Sequence, residues 1–98
     1  MAAYIFADIE VTDPEAYEEY RREVPAMIAA HGGKYLVRGG EVTVLEGSPS
    51  PCRKVILEFP DMEHLKAFYH SPAYQRVKAI RQGASKGSLI AIEGWAGN

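Results

Sequence analysis

The chain has 98 residues, 47 % of them apolar and 24 % charged. That is the mix of one globular domain over residues 1–98, and it excludes a disordered tail, a fibrous repeat and a disulfide-dense scaffold. Eleven Lys and Arg against thirteen Asp and Glu leave a net charge of −2, so no basic footprint for nucleic acid or anionic lipid is present.

Residues 3–11 alternate with period two. Ala3, Ile5, Ala7, Ile9 and Val11 form one face of a strand, and Tyr4, Phe6, Asp8 and Glu10 the other. Asp13 and Pro14 are a helix cap and a first helical residue. The helix carries Tyr17, Tyr20, Val24, Met27 and Ile28 at 3–4 spacing. Pro25 predicts a kink, with the Arg21 carbonyl left to water, and Gly32-Gly33 a stop. Lys34 to Arg38 reads as a second strand, interrupted by Gly39-Gly40 and resumed as an extended pattern from Glu41 to Glu46. A loop over Gly47 to Pro51 leads to a strand from Cys52 to Phe59.

Pro60-Asp61 opens a short helix with Leu65, Phe68 and Tyr69 inward. Ser71-Pro72 opens another, with Tyr74, Val77 and Ile80 on one face and Arg76, Lys78 and Arg81 on the other. A break over Gly83 to Gly87 precedes a last strand, Ser88 to Glu93. Cys52 is alone, so neither an internal disulfide nor a Cys-rich zinc site is expected. No apolar run approaches the roughly 18–20 residues of a membrane span. Asp8 and Glu10 break the N-terminal apolar run, which argues against a signal peptide. A cytoplasmic protein is the expectation, with no membrane and no nucleic-acid partner.

The order is βαββαβ, an α+β ferredoxin-like arrangement: a four-stranded antiparallel sheet with its helices on one face. The other face carries Tyr4, Phe6 and Ile56. Leaving them in water is unfavourable at about 25 cal/mol per Å² of apolar area. A second copy is the simplest cover, which predicts a homodimer through the open sheet face.

Several stretches carry a family resemblance: Val11-Thr12-Asp13-Pro14-Glu15-Ala16-Tyr17, Gly33-Lys34-Tyr35-Leu36-Val37-Arg38-Gly39-Gly40, Leu45-Glu46-Gly47, Glu58-Phe59-Pro60 and Ala67-Phe68-Tyr69-His70-Ser71-Pro72-Ala73-Tyr74. Together they resemble the small bacterial proteins of the domain of unknown function 1330 family, from about Ala3 to Glu93. The resemblance implies the dimeric α+β barrel fold and no assigned reaction. Related barrels include cofactor-free monooxygenases, haem-handling enzymes and lactone isomerases.

Polar groups on otherwise apolar strands are the site candidates. Asp8, Arg38 and Glu58 would meet in the barrel, where a guanidinium and a carboxylate hold a small polar or anionic ligand. The same three residues also read as an ion-pair network. Gly39 and Gly40 would let a ligand come close to Arg38. Asp8, Tyr35, His64 and Tyr69 are the candidate proton-moving groups. His31 fits a helix C-terminus; His64 and His70 are spaced wrongly for a metal pair, and either could be a lone haem ligand. Three functions stay open: a cofactor-free enzyme, a non-catalytic binding or structural dimer, and a haem protein.

Overall fold

The computed structural model describes residues 1–96. Its elements are β1 (Ala3–Val11), α1 (Pro14–Ala30), β2 (Lys34–Arg38), β3 (Arg53–Phe59), α2 (Met62–Tyr69), α3 (Pro72–Ala84) and β4 (Ser85–Glu93). The strands form one sheet in the order β2-β3-β1-β4, and every neighbouring pair is antiparallel. This is the ferredoxin-like βαββαβ fold.

Each helix starts where its cap chemistry places it. The side chains of Asp13, Asp61 and Ser71 accept hydrogen bonds from the backbone N–H groups of Ala16, His64 and Tyr74, which satisfies donors that have no partner inside the helix. The core lies between the helices and one face of the sheet. Ala3, Ile5, Leu57 and Phe59 bury against Val24, Ile28, Phe68 and Val77. The Phe68 ring centroid lies 5.3 Å from that of Phe59 and 4.6 Å from that of Tyr74. Gly33 is glycine because the chain passes too close for a side chain: a Cβ there would sit 2.6 Å from Phe59 Cε1.

Helix α1 continues through Pro25 to Ala30, as its apolar spacing predicts. Three expectations change. First, the Arg21 carbonyl that Pro25 frees is not left to water: Arg38 Nη2 donates to it at 3.2 Å. Second, the extended pattern at Glu41–Glu46 joins no strand of this chain. The Gly39 N–H to Lys54 carbonyl bond, 2.8 Å, is the last rung between β2 and β3, and Gly39 turns away with φ of +70°. Val42, Val44 and Leu45 are left exposed, Leu45 at 90 %. Third, α3 continues through Gly83 and passes straight into β4 at Ser85, not Ser88. The N–H groups of Thr12 and Asp13 both donate to the Ala84 carbonyl, Val11 pairs with Ser85, and Gly87 pairs with Ile9 inside the strand.

The second sheet face is uncovered, as its alternation predicts. Phe6 stands opposite Ile56 on β3 and Ile90 on β4. Ile90 and Ile92 are about half exposed.

Candidate functional site

A chamber of about 50 Å³ lies between the sheet and helices α1 and α3. Its polar lining is confined to two residue types. These are the arginines Arg21, Arg38, Arg53 and Arg81, of which Arg21 pairs outside with Glu18, and the tyrosines Tyr17, Tyr20, Tyr35 and Tyr74. Among the described residues the remaining lining is apolar, with no Asp, Glu, His, Lys or Cys.

Helix periodicity puts these groups there. Tyr17, Tyr20 and Val24 fall on the sheet-facing stripe of α1, with exposed Arg21 at its edge paired to Glu18 at 3.2 Å, and Tyr74, Val77 and Arg81 on that of α3. Arg53 opens β3 opposite Ile9, so it shares the helix-facing side with Val55 and Leu57.

Arg81 is only 9 % exposed, and among the described residues neither it nor Arg53 has a carboxylate within salt-bridge distance. The Nε atoms of both are buried without an acceptor. Burial opposes the charge of Arg81, the oxygens of Tyr74 and Tyr20 favour it, and the balance lies above the ordinary arginine range. Arg81 is therefore a cation at any working pH. The hydroxyls of Tyr20 and Tyr74 share a hydrogen bond of 2.8 Å. Burial pushes the phenols of Tyr17, Tyr20 and Tyr35 upward, furthest for Tyr20. These three phenols stay protonated near neutral pH.

Of the candidates read from the sequence, Tyr35 and Arg38 line this chamber. Arg38 lies over the Tyr35 ring, 4.6 Å from its centroid, and its Nη2 donates to the Arg21 carbonyl at 3.2 Å. Gly39 makes room for a different arginine than expected: a Cβ on it would lie 2.7 Å from Cζ of Arg53. Gly40 has open space around it.

Asp8 and Glu58 lie on the opposite sheet face. Asp8 pairs with Lys54 at 2.8 Å, and Lys54 also donates to the Ser50 and Cys52 carbonyls. Glu58 accepts from the Tyr4 hydroxyl at 3.1 Å and pairs with Lys34 at 3.3 Å. The expected meeting of Arg38 with these carboxylates does not occur. A register shift between Tyr35 and Val37 is the reason. Strict alternation from Lys34, which faces Glu58, would carry Arg38 to the open face; the extra residue turns it under α1.

The histidines and Tyr69 also stand apart from the chamber. His64 Nδ1 is 2.7 Å from the Asp61 carboxylate, and His31 Nδ1 is 3.0 Å from the Met27 carbonyl. Tyr69 and His70 border a separate groove between α2 and β4. Arg81 corrects the helix reading: it belongs to the inward stripe expected for Ile80, which is only partly buried. The signals for the missed pair were in the spacing. Arg81 follows Tyr74 and Val77 at i+7 and i+4, and Arg53 stands two residues before Val55 on its apolar face.

Comparison with known proteins supports the fold. The chain aligns with the protein of unknown function RPA0582 from Rhodopseudomonas palustris at 19 % identity and a TM-score of 0.79, covering 98 % of this chain and 84 % of that one. SnoaB, a cofactor-independent oxygenase from Streptomyces nogalater, aligns at 12 % identity and a TM-score of 0.66, covering 98 % and 95 %. A dimeric ferredoxin-like protein of unknown function from Jannaschia sp. CCS1 aligns at 14 % and 0.63, covering 98 % and 100 %. No curated protein matches the sequence. The family described as "Domain of unknown function (DUF1330)" matches residues 2–95, and this chain belongs to it.

Proposed function

We propose that this protein works as a homodimer and binds or transforms a small polar or anionic molecule, without a cofactor, in the chamber between sheet and helices. One observation carries the reading: Arg81 is buried there as a cation with no carboxylate beside it among the described residues. Phenol oxygens of Tyr20 and Tyr74 favour the charge, but a fold rarely keeps a desolvated charge without a counter-ion, since the desolvation is costly. A ligand that supplies the counter-ion accounts for it. Tyr35 and Arg38 close the β2 side of the site, with Gly39 seating Arg53. SnoaB, an oxygenase that needs no cofactor, uses the same fold, which supports small-molecule chemistry by analogy. The homodimer is supported by the apolar open face and by the dimeric Jannaschia neighbour.

The test is an amide and side-chain NMR screen of a small-fragment library. Shifts should cluster on Tyr20, Tyr35, Arg53 and Arg81. A screen in which ligands move only the open face, or the groove by Tyr69 and His70, would overturn the proposal.

A further inference from the structure

Resting on the reading of the chamber as the ligand site, we infer that its occupant is a short-chain carboxylate that arrives already ionised and is gripped by the guanidinium groups of Arg53 and Arg81. Three observations lead there.

The first is the pattern of unused hydrogen-bond donors. The Nε of Arg53 and the Nε of Arg81 are both buried and unpartnered. A guanidinium presents Nε and one Nη side by side, a fork that matches the two oxygens of a carboxylate. Tyr20 and Tyr74 add to this. Their mutual hydrogen bond uses one hydroxyl proton and leaves the other free to donate.

The second is what the lining lacks. Among the described residues it contains no Asp, Glu, His, Lys or Cys, so its polar side chains are arginines and tyrosines. Arginine does not release its proton, and the phenols of Tyr17, Tyr20 and Tyr35 are held protonated by burial. The chamber can stabilise negative charge but has no general base with which to create it. A ligand that needs deprotonation in place does not fit; one ionised in water does. A primary amide of the same shape would turn its NH₂ group toward donors, and an amine would meet two cations.

The third is size. The volume of about 50 Å³ compares with about 10–15 Å³ needed to hold one water. That is room for a few heavy atoms. The apolar walls, Ile5, Ala7, Val24 and Leu57 among them, suit a short hydrocarbon body.

The test follows the Arg Nε–H cross-peaks of the full chain during titration with propionate, propionamide and inorganic phosphate. Propionate should move the peaks of Arg53 and Arg81 saturably. Propionamide should need about tenfold more, or fail. Arg81→Met should abolish the response and Arg53→Met weaken it, each with a folded amide spectrum. Arg76→Met, which removes an arginine paired outside with Glu23, should leave it unchanged. Equal binding of propionamide, or tighter binding of phosphate than of any short carboxylate, would overturn the ligand class and leave the chamber as the site. If no acid, amide or library fragment moves a chamber resonance, both the class and the site fall.

Discussion

Nη2 of Arg38 donates to the carbonyl of Arg21, the carbonyl that Pro25 leaves without its helical partner. Residue 25 would ordinarily offer its N–H four residues back, and proline has none. Arg38 fills that vacancy from β2 and so ties the short strand to the middle of α1. The helix therefore passes through Pro25 without interruption, and the pocket mouth acquires a fixed guanidinium.

This tie predicts a coupling. In the parent, Arg38→Met should cost about 0.5–1.5 kcal/mol, the net worth of one hydrogen bond. In a Pro25→Ala background the restored backbone N–H serves the Arg21 carbonyl, and Arg38→Met should then cost close to nothing. Denaturant unfolding of the four proteins measures the interaction directly. Equal costs in both backgrounds would show that Arg38 stabilises only by lying over Tyr35.

The topology, the caps and the two strand faces were all legible in the sequence. Alternation over residues 3–11 places Ile5 and Phe6 on their correct sides, and Asp13, Asp61 and Ser71 announce three helices. The site was less legible, because it depends on one-residue details of register. The shift near Leu36 decides which face Arg38 takes, and nothing local in Tyr35-Leu36-Val37 marks it. Arg81 was hidden by its chemistry. A charged residue on a helix is ordinarily read as outward, although its spacing from Tyr74 and Val77 points in. The segment over Glu41–Glu46 has strand-like alternation, but alternation alone does not pair a strand, and it joins neither edge of the sheet, β2 or β4.

A dimer through the open face puts Phe6 at its centre, between Ile56 and Ile90. Phe6→Asp would bury a charge there with no partner, at a cost of about 3–5 kcal/mol. Sedimentation velocity should show the parent as a dimer and the variant shifted to monomer at micromolar concentration. A parent that sediments as a monomer, or a variant dimer as tight as the parent, would exclude this face.

Stability at acid pH should report on Asp61. Hydrogen bonds from the His64 backbone and side chain hold its carboxyl below the ordinary 3.8. A carboxyl whose folded value is depressed contributes stability above its unfolded value and loses that contribution as pH falls through the folded one. Asp61→Asn keeps a capping oxygen but has no charge. Its Tm should lie below the parent's at neutral pH, and the gap should close as pH drops below about 4. A gap that stays constant down to about pH 2 would mean that the charge contributes nothing.

Arg81→Met tests whether the buried cation serves the fold or the ligand. If Arg81 were a structural residue, its removal would leave Tyr20 and Tyr74 without a neighbour they need, and stability would fall. If it is kept for a ligand, the empty protein bears the desolvation of a guanidinium whose neighbours are phenol oxygens and no counter-ion, and methionine, similar in length and apolar, removes that cost. Replacing buried charge by a packed apolar side chain is often neutral or stabilising by about 1–4 kcal/mol. The expected outcome is a Tm at or above the parent's, by roughly 4–8 °C for each kcal/mol in a domain of this size. Binding of short carboxylates should vanish at the same time. In the parent, a saturating carboxylate should raise Tm through preferential binding to the folded state, and in Arg81→Met it should not. A variant that melts several degrees lower and still answers to carboxylates would place Arg81 in the structural framework and leave the chamber without its anion-binding group.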